Sequence, residues 1–368
     1  MIEYKDFSRR IYEHSLEQDR VIKAQMELTY RCNLRCVHCY TDCYNERDYF
    51  TREMTYEEIL RILDDMADLG ILWLNFTGGE VFMRKDFFEI YEYAARKGFI
   101  LTIFTNATLF TSAIIERLKR YPPFFLDISC HSVNEEAFDR FTQVPGSFRK
   151  FLDGMRLLKA SGLPFRLKTK AMTWNKAELP QIRAFVESFG LEFSFSTSLS
   201  PRLNGDLSPL DYRLSPQEIH NLEVAEDHRT EESEACLDGQ NQGQDLLATP
   251  PPRLYRCGCA TNTIHINAWG ELGTCTLEYE RRASLRTHSL KEAIAKVFRE
   301  VRSLQYQTDS PCRTCDVYAY CEKSPTSFRQ QADDPEPAIR YYCDVAVDRA
   351  ERATGRQLLH PLRAKGGI

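Results

Sequence analysis

From residue 25 to about residue 198, short apolar runs alternate with amphipathic stretches six times over, the pattern of repeated β/α units around a parallel sheet or barrel. The runs at 25–30, 71–76, 99–104, 124–129, 165–172 and 191–196 are short and rich in apolar or β-branched residues, as strands buried on both faces require. The stretch between the first two runs is the clearest helix. Thr55 and Glu58 form a Thr-x-x-Glu capping box, Ile59, Leu63, Met66 and Leu69 share one face, and Gly70 stands where a C-terminal cap belongs. Gly98, Gly162 and Gly190 punctuate the chain before later strands in the same way.

The periodicity fades after residue 199, through a polar, acidic stretch that ends at Pro250, Pro251 and Pro252. Cysteines crowd the last third, a region expected to fold around metal more than around a large apolar core. The pattern therefore predicts an α/β chain in five parts: a lead-in at 1–24, a partial (β/α)6 TIM-like barrel at 25–200, a linker or surface excursion at 201–256, a cysteine-rich domain at 257–345 and a tail at 346–368.

Composition narrows the setting. The chain has 368 residues, 43% of them hydrophobic, enough for one large core and a smaller appended unit. A net charge of −5 with intermixed signs gives no basic face for nucleic acid. Charges interrupt the first 24 residues, leaving no signal-peptide core, and no uncharged apolar stretch is long enough to span a bilayer, so a cytoplasmic protein without a membrane partner is expected. The 13 cysteines lie in close C-x-C and C-x2-C groups, which favours metal ligation in a reducing compartment over secreted disulfides.

The first group is Cys32-Asn-Leu-Arg-Cys36-Val-His38-Cys39, directly after the first strand, at the rim where barrel folds build active sites. Three thiolates there suit three irons of a [4Fe-4S] cube with one iron left open, and by spacing alone they also suit zinc. Thr77-Gly78-Gly79-Glu80 follows the second strand, where glycines permit close backbone approach and the carboxylate offers a charged acceptor. Together these motifs resemble the radical S-adenosylmethionine (SAM) superfamily. The resemblance implies that Cys32, Cys36 and Cys39 bind the cluster and are the catalytic set, that the open iron chelates SAM, and that Gly78, Gly79 and Glu80 receive the methionine ammonium. It also places His38 beside the adenine, and Asn106, with Thr105, and Ser129 along the ribose and methionine. Lys168, Lys170 and Arg140 are candidates for the SAM carboxylate or for the substrate, with plain solvated charges as the alternative. Cys43 is read as a bystander and Cys130 as a small buried hydrophobe.

In the last third, Gly270-x4-Cys275, then Cys312-x2-Cys315-x5-Cys321, then Cys343, resembles the SPASM extension that carries auxiliary iron-sulfur clusters. The resemblance implies one complete set of four thiolates, Cys312, Cys315, Cys321 and Cys343, for a second auxiliary cluster. The first auxiliary set is irregular. The further cysteine expected soon after Cys321 is missing, where the chain reads Ser324-Pro325, leaving Cys257, Cys259 and Cys275. Cys259 as the substitute ligand, an open or oxygen-ligated iron, and a smaller cluster all stay open; Cys236 is a spare thiol in the linker.

The resemblance implies reductive cleavage of SAM to a 5′-deoxyadenosyl radical that modifies, and by preference crosslinks, a ribosomally synthesised peptide. A flavodoxin or ferredoxin is the implied electron donor. Only 31 residues precede Cys32, so a fused leader-binding module is not expected, and a separate protein presents the leader or the substrate docks directly. The alternatives are action on a tetrapyrrole side chain or a sulfatase-type residue and, in another class, a non-catalytic iron-sulfur or zinc protein.

Overall fold

A computed structural model of the chain describes residues 3–227, 253–256 and 260–358. Helix α1 (Tyr4–Glu17) leads into strand β1 (Lys23–Thr29). A short helix α2 (Arg47–Phe50) and α3 (Tyr56–Asp68) follow, then β2 (Trp73–Gly78), α4 (Phe87–Arg96), β3 (Ile100–Thr105), α5 (Ser112–Arg120) and β4 (Phe125–Ser129). Helices α6 (Glu135–Thr142) and α7 (Ser147–Ser161) precede β5 (Phe165–Lys170), and α8 (Leu179–Glu187) precedes β6 (Phe195–Ser196). After α9 (Pro216–Asp227) come β7 (Thr263–Ile266), β8 (Glu271–Gly273) and β9 (Ala283–Ser284), then helices Leu290–Ser303, Pro325–Ala332 and Arg340–Thr354.

The strands form one nine-stranded sheet in the order β6-β5-β4-β3-β2-β1-β7-β8-β9. Pairing is parallel from β6 through β1 to β7, and antiparallel from β7 to β9. All six expected strands are present, with β6 shortened to two residues. The capping box of α3 forms as expected: Glu58 N donates to Thr55 Oγ1 at 3.2 Å, and Thr55 N to Glu58 Oε2 at 2.8 Å. Its buried residues, Ile59, Ile62, Leu63 and Met66, face the sheet core. Among the described residues no helix is long and apolar enough to cross a membrane.

Alternation along the strands sorts side chains to two faces. Met26, Leu28, Leu74, Phe76, Leu101, Ile103, Leu126, Ile128, Leu167, Ile264 and Ile266 pack under the helices in one core. The opposite, concave face is polar. Pairing sets His265, Gln25, Asn75 and Thr102 side by side, then Phe104, Asp127 and Arg166, then Ser129 beside Lys168.

Two expectations change. Of the region 257–345 that the cysteines lead one to expect around metal, residues 260–301 instead send Ala260, Ile264, Ile266, Leu272, Ala293, Val297 and Val301 into the barrel's own core. The reason is the parallel pairing of β7 with β1, which extends the sheet instead of starting a separate one. The tail expected from 346 begins inside a continuous helix, Arg340–Thr354, whose buried Cys343, Val345, Ala346, Val347 and Ala350 lie on both sides of that boundary.

Candidate active site

The chain leaves β1 at Thr29 and runs straight into the cysteine loop, which leans against the Gly78-Gly79-Glu80 turn. Gly79 N donates to Thr29 O at 2.8 Å and Glu80 N to Arg31 O at 2.8 Å, so backbone hydrogen bonds join the two motifs directly. This approach requires glycine. A Cβ at Gly79 would lie 2.4 Å from Arg31 O and 2.7 Å from Tyr30 O, and one at Gly78, where φ is +139°, would lie 2.1 Å from Thr29 O.

Side chains remote in sequence hold the loop. Buried Asn45 accepts from Cys32 N at 3.1 Å and donates to Cys32 O at 3.1 Å and Leu34 O at 3.4 Å. Arg202 Nη1 donates to Cys39 O at 3.0 Å, and Arg35 N and Val37 N donate to the last carbonyls of α6 at Thr142 and Phe141. Leu34 N points at Cys32 Sγ from 3.4 Å and Asn106 Nδ2 from 3.9 Å. Burial first pushes Cys32 and Cys36 well above the ordinary thiol range, followed by the Glu80 charge at Cys32 and by the neighbouring thiols at Cys36; burial raises Cys39 also. Such a set is poorly suited to free thiolates and well suited to ligating a metal cluster, whose positive irons stabilise the deprotonated sulfurs. The three thiols with amide donors at Cys32 thus fit the cluster that the sequence implies.

Glu80 is fully buried. Its carboxylate accepts from Thr105 Oγ1 at 2.8 Å, Asn106 N at 2.8 Å and Phe82 N at 3.4 Å. Burial outweighs these donors and raises its pKa from 4.5 to about 7. Asn106 in turn donates to Asn33 Oδ1 at 3.0 Å, and Asn33 to Thr108 Oγ1 at 2.7 Å, so one network runs from the glutamate to the cysteine loop. A cationic ligand group at Glu80 favours its ionised form, so binding at or below about pH 7 releases a proton. With the methionine ammonium that the sequence resemblance implies as this cationic group, Glu80→Gln is expected to abolish that release, measured calorimetrically in buffers of different ionisation enthalpy, and to weaken SAM binding by roughly 10- to 100-fold, the loss of one charged hydrogen bond.

The unliganded chain carries the opposite signature. With the folded pKa raised, the stability from protonated Glu80 is complete below about pH 4.5 and is lost as pH rises through about 7. Thermal unfolding across that window should show the loss in the parent chain and not in Glu80→Gln.

His38 packs edge-on against His131 with ring centroids 4.7 Å apart and lies 5.0 Å from Phe141. Its Nδ1 is buried without a hydrogen-bond partner. Burial first, and then the Lys170 and Arg202 charges, lower its pKa to about 3, so the ring is neutral. Ser129 and Lys168 are exposed neighbours on the concave face. Arg140 is exposed on the outer helix α6, away from buried Phe138, and the structure does not bring it to the Glu80 network. Lys170 is tied to Ser196 Oγ at 3.1 Å and Ser198 O at 2.9 Å, a structural role at the β5–β6 end. Cys130 is buried in the apolar core as expected, and Cys43 donates weakly to Tyr40 O.

Sequence reasoning missed the polar lining below the loop. Arg166 grips Asp127 through two hydrogen bonds, at 2.8 and 2.9 Å. Glu27, fully buried, accepts from Tyr30 at 2.9 Å and lies 3.5 Å from His265 Nε2, while Arg282 meets His265 Nδ1 at 3.1 Å. Strand alternation could have flagged Glu27 as inward-facing, but its partners come from β7 and beyond. Tyr40, next to Cys39, hydrogen-bonds Thr276 and lies near Cys275, so the last third reaches the barrel interior.

Cys312, Cys315, Cys321 and Cys343 line one partly open pocket, with Lys323, Tyr318 and Val317. Among the described residues no three His, Cys, Asp or Glu side chains lie close enough to hold a single metal ion. Cys236, Cys257 and Cys259 lie outside the described residues. Ser324 caps the helix Pro325–Ala332 by accepting from Ser327 N, so a helix start occupies the place where a further cysteine was expected.

A family model described as the Radical SAM superfamily matches residues 26–176. The PqqA peptide cyclase of Granulibacter bethesdensis is 30% identical over 300 residues, covering 79% of this chain and 78% of that protein. The subtilosin biosynthesis protein AlbA of Bacillus subtilis is 29% identical over 262 residues, covering 70% of this chain. The AdoMet-dependent heme synthase of Methanosarcina barkeri is 32% identical over 190 residues, covering 50% of this chain. The chain spans 55% of AlbA and 54% of the heme synthase, about half of each. Among solved structures, Streptococcus suis SuiB bound to S-adenosylmethionine shares the fold, with a TM-score of 0.66 at 14% identity over 93% of this chain and 81% of that one.

Proposed function

The chain belongs to the radical SAM superfamily, and on that premise we propose that it cleaves SAM reductively and uses the radical to modify, by crosslinking, a ribosomally synthesised peptide. The observation that carries the peptide reading is the PqqA peptide cyclase similarity, which runs through 79% of this chain, whereas the heme synthase similarity covers 50%. The heme synthase match is the specific ground for a second reading, action on a tetrapyrrole.

In this reading Cys32, Cys36 and Cys39 hold a [4Fe-4S] cluster with one open iron, which together with SAM supplies a hydrogen-abstracting carbon radical. Glu80, braced by Thr105 and the Asn106 amide, holds the methionine ammonium, and Gly78 and Gly79 let the turn that carries it pack against the backbone of Thr29, Tyr30 and Arg31. His38, Asn106 and Ser129 line the nucleoside and methionine, and Lys168, level with Ser129 on the concave face, takes the SAM carboxylate or a substrate acid. The Asp127–Arg166 pair and the Glu27–Tyr30–His265 group add paired polar side chains to the same face of the sheet. Cys312, Cys315, Cys321 and Cys343, four thiols that line one pocket, hold an auxiliary cluster. Cys275, with Cys257 and Cys259, is the remaining set for another. A flavodoxin or ferredoxin donor and a leader-presenting protein complete the reading.

Anaerobic reconstitution with iron and sulfide, followed by a reductant and SAM, should yield 5′-deoxyadenosine. Adding a short peptide found encoded beside the gene should yield a product lighter by two hydrogens in mass spectrometry. Absence of 5′-deoxyadenosine would sink the radical reading; its formation with turnover of a porphyrin substrate and of no peptide would transfer the assignment to the tetrapyrrole.

A further inference from the structure

The four-cysteine cavity contains a charge that its thiols do not explain. Lys323 is 5% exposed and lines the cavity together with Cys312, Cys315, Cys321 and Cys343. Its ammonium donates to the backbone carbonyl of Glu336 at 2.9 Å and hydrogen-bonds the Cys312 sulfur. The Tyr306 and Phe328 rings flank it at 5.1 and 4.9 Å. The Glu336 carboxylate feels the Lys323 charge through space but forms no ion pair with it, its oxygens accepting from Gln307 N at 2.7 Å and Thr308 N at 2.9 Å. Among the described residues, no carboxylate forms an ion pair with Lys323.

A buried ammonium without a counter-anion is costly, and rings and one carbonyl offset only part of that cost. The cavity itself offers the missing anion. Four thiolates around an iron-sulfur cube make a dianion when oxidised and a trianion when reduced, and a fixed cation in contact with one sulfur favours the second state over the first.

We infer that Lys323 is a positioning residue for this cluster, donating an N–H···S hydrogen bond to Cys312 and raising the reduction potential through its charge. The step it assists is a one-electron reduction: one electron enters the cluster from a one-electron donor, either an external reductant or a substrate radical losing an electron as its new bond forms. No proton moves at Lys323, which keeps its three N–H bonds before and after. The proposal rests on the cluster reading of the cavity.

The test is a redox titration of the reconstituted full chain followed by EPR, the relevant signal being the one lost in Cys343→Ala. Lys323→Met keeps the stem that packs on Tyr306 and Phe328 but removes charge and donors. It should retain iron and sulfide and shift that potential downward by at least a tenfold change in the reduction equilibrium, 59 mV for one electron. Lys323→Arg should recover most of the shift. A loaded Lys323→Met with an unmoved potential overturns the role of Lys323. If that variant does not load, Lys323→Gln, which keeps an N–H donor without the charge, decides the matter: a parental potential overturns the proposal. Zinc without sulfide in the parent chain, or iron and sulfide unchanged in Cys343→Ala, would instead remove the cluster reading beneath it.

Discussion

Replacing Cys32, Cys36 and Cys39 together by alanine is expected to abolish 5′-deoxyadenosine formation and remove the iron of the barrel loop, while the iron in the Cys312–Cys343 cavity and the fold remain. The fold should survive because the loop is held mainly by other side chains, its thiols making only long contacts with Leu34 N, Asn106 and Thr41. Asn45 binds its backbone on both sides of Cys32, Arg202 binds the carbonyl of Cys39, and α6 accepts the amides of Arg35 and Val37. Removing three buried thiols leaves these bonds intact and deletes only the donors. Iron and acid-labile sulfide analysis, the EPR signal of the reduced protein and a thermal melt measure the three parts separately. Retained 5′-deoxyadenosine formation would refute the assignment of these cysteines.

Gly79→Ala is expected to cost about 3 kcal/mol of stability, at the upper end of overpacking penalties, and to impair SAM cleavage in whatever protein still folds. The new methyl group would meet the carbonyls of Arg31 and Tyr30, and neither is the movable end of a side chain. Relief requires the Gly78-Gly79-Glu80 turn to withdraw from the cysteine loop, breaking the Gly79–Thr29 and Glu80–Arg31 backbone hydrogen bonds. Withdrawal also displaces Glu80, which those bonds help to hold against Thr105 and Asn106. Gly98→Ala is the control. Gly98 also has a positive φ, +90°, but nothing lies within 4 Å of an added Cβ, so it should cost only about 1 kcal/mol of backbone strain and leave SAM cleavage unchanged. Denaturant unfolding of both variants measures the difference, and equal losses would show that contact between the two loops is not what requires glycine.

These two experiments probe different kinds of information. The cysteine spacing and the Gly-Gly-Glu turn were legible because each is a short local pattern after a strand that its own apolar run announced. Ser129 was legible as a strand-end residue and Lys168 as a charge within the fifth strand, and pairing sets them side by side. Arg140 was singled out for its charge, but charge alone does not say which face of a helix it occupies, and it faces solvent.

What the sequence by itself determined is therefore what arises from interactions a few residues apart: six strands, the Thr55–Glu58 capping box, the thiol spacing and the glycines. Alternation and helical periodicity write such features directly into the order of residues. Only the tertiary structure decided what depends on pairing between distant segments. Parallel pairing of β7 with β1 merged residues 260–301 into the barrel core, brought Thr276 and Cys275 to Tyr40, and set His265 beside Glu27. Asn45 and Arg202 became the supports of the cysteine loop, and Lys323 was placed among four thiols. Parallel pairing needs a long crossover, and a side chain that meets a partner many residues away leaves no period in the sequence, so these contacts exist only once the chain has closed on itself.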